Sequence, residues 1–170
     1  MYTPVHWLTG VPSGRLGTMA RPRGDDWLTD ELLHLKSIQV EHLVCALTTT
    51  EMHELGLLDA PRLAAAHGLM FHPMPIIDRH VPDDMRRFDA RVVALADALR
   101  AGQCVVTHCR QGIGRASLIA AALLVHLGVP HATAWPMIQQ ARGRPVPDTP
   151  SQRHWLDHQY ATWMSLHRPR

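Results

Sequence analysis

Cysteine is scarce in this chain, and the scarcity narrows what the chain can be. Its three cysteines, Cys45, Cys104 and Cys109, cannot build a disulfide framework, and a reducing, cytoplasmic compartment is expected. No Cys-x2-Cys pair is present and the thirteen histidines are scattered, so neither a metal nor another cofactor is expected. A net charge of +2 is too mild to imply nucleic acid or a membrane surface as partner. The longest apolar run, Ala116 to Val129, falls short of the roughly 20 residues that span a bilayer. No basic-then-apolar leader is expected from Met1-Tyr2-Thr3-Pro4-Val5-His6, and no repeat or low-complexity tract is present. What remains is 170 residues, 46% of them hydrophobic. That fits one domain over 1–170 with a real core, and nothing in it specifies an oligomeric state.

What is there is concentrated near the middle: Val105-Val106-Thr107-His108-Cys109-Arg110-Gln111-Gly112-Ile113-Gly114-Arg115. Cys104 to Thr107 is a short β-branched run after Gly102, which predicts a buried strand. Ala116 to Leu127 is rich in Ala and Leu and is stopped by Gly128, which predicts a buried helix. Between them Gly112 and Gly114 permit positive φ and let backbone N–H groups converge on an anion. The helix N-terminus adds free N–H groups and a positive dipole end. Such a cradle lowers a thiol pKa, which makes Cys109 a thiolate nucleophile. Arg115, six residues on, offers a planar fork for two phosphate oxygens. A buried structural cysteine would also sit at a strand end, but that reading leaves two arginines and two glycines of the same loop unused.

These residues resemble the signature loop of the cysteine-dependent protein tyrosine and dual-specificity phosphatases, His-Cys-x2-Gly-x2-Arg. His108, Cys109, Gly112 and Arg115 match, with Gly114 matching a subset. The resemblance implies that Cys109 attacks phosphorus, while Arg115 and the backbone from Arg110 through Gln111, Gly112, Ile113 and Gly114 hold the phosphate. It makes His108 a supporting residue that orders the loop through hydrogen bonds. Expulsion of an alkoxide or phenoxide then demands an acid. The segment Pro75-Ile76-Ile77-Asp78 is similar to the Pro-Ile-x-Asp acid loop of small dual-specificity and cyclin-dependent-kinase-associated phosphatases, which assigns that role to Asp78. Asp83 is the alternative, although Asp83 and Asp84 also suit a helix cap after Pro82. Arg79 would hold the Asp78 carboxyl low unless it points away. Near the C-terminus Val146-Pro147-Asp148-Thr149-Pro150-Ser151-Gln152 resembles the segment whose Gln positions the hydrolytic water. Thr149-x-x-Gln152 with Pro150 is equally a capping box, and the two roles compete for Gln152. One position departs from the family: Ala116 stands where Ser or Thr usually follows the loop Arg, and Ser117, one place on, faces elsewhere on a helix.

Around these loops the pattern alternates. Val5–Leu8 and Leu16–Met19 read as edge strands, His42–Leu47 and Leu69–His72 as further strands. Helices are expected over Asp26–Ser37, Glu51–Leu58, Pro61–His67, Asp84–Ala101 and Pro150–Ser165. His131–Arg142 is helical but for Pro136, which should kink it or delay its start. His167 to Arg170 reads as a frayed basic tail. The fold class is therefore α/β: a central, mostly parallel sheet of about five strands flanked by helices, with the ligand loop at the carboxyl end of a central strand.

The resemblance implies a phosphatase acting on phosphotyrosine, and on phosphoserine or phosphothreonine, in a phosphorylated protein or peptide. A phosphoinositide or inositol phosphate phosphatase is the alternative, although this loop carries only Arg110 beside Arg115. Sulfur transfer or arsenate reduction would not need the Asp78 loop. A catalytically dead phosphopeptide-binding module would not need the Cys, Arg and acid together. Cys45 or Cys104 pairing reversibly with an oxidised Cys109 is a further possibility that spacing leaves open.

Overall fold

The computed structural model describes residues 1–167, so the last three residues of the expected C-terminal tail lie outside the described residues. Five strands form one sheet in the order β1-β2-β5-β3-β4. They are β1 (Val5–Trp7), β2 (Arg15–Ala20), β3 (His42–Cys45), β4 (Met70–Pro73) and β5 (Cys104–Cys109). β1 pairs antiparallel with β2, and every other pairing is parallel. Leu16–Met19 is thus not an edge strand. Leu16, Gly17, Thr18 and Met19 are all buried, which only a strand with a partner on each side permits, and β1 covers that edge instead.

The central strand β5 is buried along its whole length, and it runs two residues past the expected end at Thr107. Pairing on both sides extends it: His108 lies opposite Met19 and Cys45, and Cys109 opposite Ala20. Its side chains alternate between two cores, as a strand's must. Val105 and Cys109 face a core shared with α4 (Met85–Arg100) and α5 (Arg115–His126), where Leu95, Ile119, Trp135 and Trp155 are buried. Cys104 and Val106 face the other core, built with Leu28 and Leu32 of α1 (Leu28–Ser37) and Ala64 of α3 (Ala60–Ala66). The short α2 (Thr49–Glu54) follows β3 directly.

α6 (His131–Arg142) runs through Pro136 without a delayed start, with Pro130 as its N-cap. The expected single helix at the C-terminus is divided. α7 (Pro150–His154) passes through a π-helical stretch at Trp155–Tyr160 into α8 (Ala161–His167). The wider turn brings residues five apart onto one face. Trp155 and Tyr160 are stacked with ring centroids 5.1 Å apart, and both are buried. Among the described residues no helix is long and apolar enough to cross a membrane.

Candidate active site

The loop between β5 and α5 wraps a cavity of about 170 Å³ at the carboxyl end of the sheet. Cys109 forms its floor and is 3% exposed. The N–H of Gly112 donates to the Cys109 sulfur at 3.3 Å. Among the described residues no protein acceptor meets the amides of Gln111, Ile113 and Gly114, so these donors are left for an anion in the cavity.

The two glycines are required for different reasons. Gly112 has φ +72°, and a Cβ there would stand 2.5 Å from the Met19 carbonyl group. Gly112 therefore packs against β2 and does not line the cavity itself. Gly114 has an ordinary φ of −90°, so the positive φ that glycine permits is not used there. A Cβ at that position would lie 2.8 Å from the Asp148 Cβ and 3.0 Å from Gln152 Oε1. Its glycine permits the C-terminal loop to close onto the cavity.

Arg115 is 1% exposed and turns inward. Its guanidinium makes a two-pronged pair with Glu51, Nη1 to Oε2 at 2.7 Å and Nη2 to Oε1 at 2.9 Å. Nη1 also donates to the Ile76 carbonyl at 2.8 Å. Glu51 was not anticipated as a site residue. It sits in the first turn of α2, where its Oε2 accepts from the Thr48 N–H at 3.0 Å and Thr48 Oγ1 accepts from the Glu51 N–H. This capping box is the only trace in the sequence, because Thr48-x-x-Glu51 announces a helix start and says nothing of an arginine sixty-odd residues away. Burial alone would raise the Glu51 carboxyl, but the Arg115 and Thr48 hydrogen bonds and the Arg115 charge outweigh it and hold the group at about 2.

Asp78 meets the same guanidinium from the mouth of the cavity. Its Oδ1 lies 3.1 Å from Arg115 Nη2, with the Asp78 side chain 58% exposed. Arg79 points away from Asp78, pairing with Asp148 at 3.0 Å, and it takes φ +63° to do so. That left-handed conformation is costly for a residue with a Cβ, by about 1–2 kcal/mol. It is the backbone turn that sends the Asp78 and Arg79 side chains apart. Asp83 lies in a different cavity, and Asp84 caps α4 by accepting from the Arg87 N–H at 2.9 Å. Of the three acids in this segment, Asp78 alone lines the phosphate-sized cavity.

A family model described as "Polymorphic toxin system, DSP-PTPase phosphatase" matches residues 14–129, which takes in β2 through α5 and the Asp78 and Cys109 loops. The chain belongs to this phosphatase family. No curated protein matches its sequence. Among solved structures the phosphatase is similar to the kinase associated phosphatase KAP, crystallised with its catalytic-site cysteine replaced by serine. That pair shares a TM-score of 0.88 and 22% identity over 99% of both chains. Human DUSP28 carrying a Tyr-to-His change gives a TM-score of 0.67 at 22% identity, over 94% of this chain and 97% of that one. PTPMT1 in complex with PI(5)P gives 0.72 at 19% identity, over 90% and 94%. At such identities the likeness is one of fold.

In this phosphatase Gln152 is fully buried and forms the capping box with Thr149. Its Oε1 accepts from the Asp148 and Thr149 N–H groups, both at 3.2 Å, and Nε2 donates to the His80 carbonyl at 3.1 Å. An amide nitrogen has two N–H groups, so one remains while the residue lines the cavity. The two roles therefore do not exclude each other.

Other expected residues of the phosphatase take less direct parts. Arg110 directs its side chain to α2, with Nη2 3.3 Å from Glu54 and Nε 3.5 Å from Glu51. His108 is 1% exposed, and burial lowers its ring to about 4 against a backbone hydrogen bond at Cys109 that raises it. It is a neutral imidazole whose Nδ1 has no partner among the described residues. The loop is also braced from outside by Arg142, which donates to the carbonyls of Gly112 at 3.2 Å and Gln111 at 3.0 Å. Ser117 does not replace the hydroxyl missing at Ala116: it is buried, and its Oγ has no partner among the described residues.

The expected redox partners are badly placed. Cys45 and Cys104 belong to the core on the opposite face of the sheet from Cys109. Burial pushes Cys45 up to about 12 and Cys104 to about 11, so both stay protonated thiols. All three cysteines are free. Contrary to the scattered histidines expected, His154 and His158 form a His-x3-His pair with ring centroids at 4.6 Å, but among the described residues no group of three or more His, Cys, Asp or Glu could hold a metal ion.

Proposed function

We propose that residues 1–170 form one phosphatase domain that hydrolyses phosphotyrosine, and also phosphoserine and phosphothreonine, in proteins through a phosphocysteine intermediate. One observation carries the reading: the Cys109 sulfur, the inward-turned Arg115 guanidinium and the Asp78 carboxyl share a cavity of about 170 Å³. In the first step the Cys109 thiolate attacks phosphorus and the P–O ester bond breaks. The Gln111, Ile113 and Gly114 amides and Arg115 hold the non-bridging oxygens, and the leaving oxygen takes the proton of Asp78. Water, positioned by the remaining N–H of Gln152, then attacks phosphocysteine. Its proton passes to Asp78 and the P–S electron pair returns to Cys109. Donors fixed before the charge develops are where most of the barrier reduction arises. Arg115 Nη2 is held by Asp78 in the resting site, so an entering phosphate exchanges that contact for its own oxygens.

Two features favour a broad, single-phosphate substrate. Among the described residues no aromatic side chain lines the cavity to select a tyrosine ring, and Ile113 is the one aliphatic side chain there. The charges at the mouth are largely spent, Arg79 on Asp148 and Arg110 on Glu54 and Glu51. Within the phosphate cavity itself that leaves little to meet the further phosphates of an inositol headgroup, the second reading that the PI(5)P complex of PTPMT1 suggests. A thiolate nucleophile needs a reducing compartment, which supports the cytoplasm as the place of action. Parallel assays on phosphotyrosine, phosphoserine and inositol phosphate substrates decide the class. Cys109→Ser is expected to abolish turnover, and Asp78→Asn to lower kcat by about 10²–10⁴-fold on alkyl phosphates. Full activity of Cys109→Ser would end the proposal.

A further inference from the structure

Behind the Asp78 loop lies a second cavity, of about 470 Å³, larger than the phosphate site and unused by the proposed chemistry. The two share one wall. Asp78 and Arg79 line the phosphate cavity, while Ile77 and His80 line the other. Its apolar surface is built from Met74, Ile76, Val81 and Phe88. Arg87 and Arg91 stand beside them, four apart on α4 and therefore on one helix face. Both are exposed, and neither has a carboxylate within ion-pair distance among the described residues. Asp83 and Asp84 also border the cavity; Asp84 accepts from the Arg87 backbone N–H as the α4 cap, and among the described residues neither carboxylate forms an ion pair with Arg87 or Arg91. Its size and its apolar walls with a few polar groups are those of pockets that seat a small ligand, large enough for a single side chain of a bound segment.

The geometry points to this cavity as the docking site for the substrate protein beyond its phosphate. The occupant is a segment of the phosphoprotein that carries an apolar side chain beside an acidic residue. The apolar side chain enters between Met74 and Phe88, and the acidic one meets Arg87 and Arg91. Continuity argues for the substrate itself, because a chain leaving the phosphate cavity over residues 77–80 comes directly to this opening. Charge complementarity argues for the acidic neighbour. Seating a side chain against Ile77 would also press on the loop that carries Asp78, so docking and acid placement are coupled. This inference rests on the phosphatase reading and deepens it.

A series of phosphotyrosine peptides differing only in where one Leu-Glu pair stands tests it, with a small aryl phosphate as control. At one spacing the pair should lower KM about tenfold or more, as expected for one buried apolar side chain plus an ion pair. In Arg87→Glu/Arg91→Glu that advantage should vanish while kcat/KM on the aryl phosphate stays within about twofold of wild type. Docking is read separately by fluorescence anisotropy of the same peptides on Cys109→Ser. Loss of turnover on every substrate would thus count against the phosphatase reading and leave docking measurable. Peptides with and without the pair binding Cys109→Ser equally, at every spacing, would overturn the inference. So would a charge-reversed double variant that keeps the preference.

Discussion

Replacing Glu51 by Gln separates two jobs that one side chain performs. Gln suits the capping box as well as Glu does, so the start of α2 should survive. What is lost is the negative charge facing a guanidinium that is 1% exposed. Breaking a buried pair and leaving the other charge in place costs about 3–5 kcal/mol. Arg115 still keeps the Ile76 carbonyl and the Asp78 carboxylate and faces an open cavity, so about 2–3 kcal/mol is the better expectation. The pKa agrees. A carboxyl moved from its ordinary 4.5 to about 2 contributes on the order of 3 kcal/mol. Because the folded value is depressed, that contribution is complete above the ordinary value of 4.5 and disappears as pH falls towards about 2. Urea unfolding followed by fluorescence of the buried Trp135 and Trp155 should show E51Q less stable by about 2–3 kcal/mol at pH 7. The gap from wild type should close between pH of about 4.5 and about 2. With Arg115 no longer held from behind, kcat/KM should fall about 10–100-fold. Glu54, whose partner Arg110 is 40% exposed, serves as control: Glu54→Gln should cost under about 0.5 kcal/mol. An E51Q protein within about 0.5 kcal/mol of wild type that keeps full kcat/KM would refute a positioning role for Glu51.

Three further outcomes are expected. Gly112→Ala forces a Cβ onto the Met19–Ala20 backbone at φ +72°; it should lower stability by more than about 2 kcal/mol and abolish turnover, and a soluble, active variant with an unchanged Tm would contradict the packing described. Ala116→Ser places a hydroxyl at the position after the loop arginine, so the second step should speed up. In burst kinetics kcat rises and the burst amplitude shrinks, whereas fast breakdown already in wild type, with no gain from Ser, would dismiss the idea. Cys45→Ala and Cys104→Ala should leave peroxide inactivation of Cys109 and its recovery by thiols unchanged, because both side chains lie across the sheet from it; a variant that loses recovery would identify a resolving cysteine.

The phosphate loop was legible because its physics is local. A strand, a Cys-x5-Arg turn and a helix N-terminus follow one another within a dozen residues, and each part needs particular residue types regardless of the rest of the fold. The same holds for the Thr149–Gln152 capping box and for Asp84 as the α4 cap. Asp78 was reached through its Pro-Ile-x-Asp context, and it does line the cavity. The strand order was not legible in this way, because pairing partners far apart in sequence decide which short apolar run lies inside. Leu16–Met19 became an interior strand once β5 took its other side. Local sequence offered only backbone freedom as the reason for glycine at 114, whereas the constraint in the structure is the approach of Gln152 and Asp148 from the C-terminus. The Glu51–Arg115 pair joins residues 64 apart in sequence, and Glu51 looks there like an ordinary first-turn acid. Whether Cys45 can reach Cys109 is a matter of which face of a sheet each occupies. The chain alone thus determined the chemistry of the anion cradle, since neighbouring residues build it. Only tertiary structure decided what holds Arg115 inward, where Arg79 turns, and which cavity opens beside Asp78, because those depend on side chains that meet across the fold.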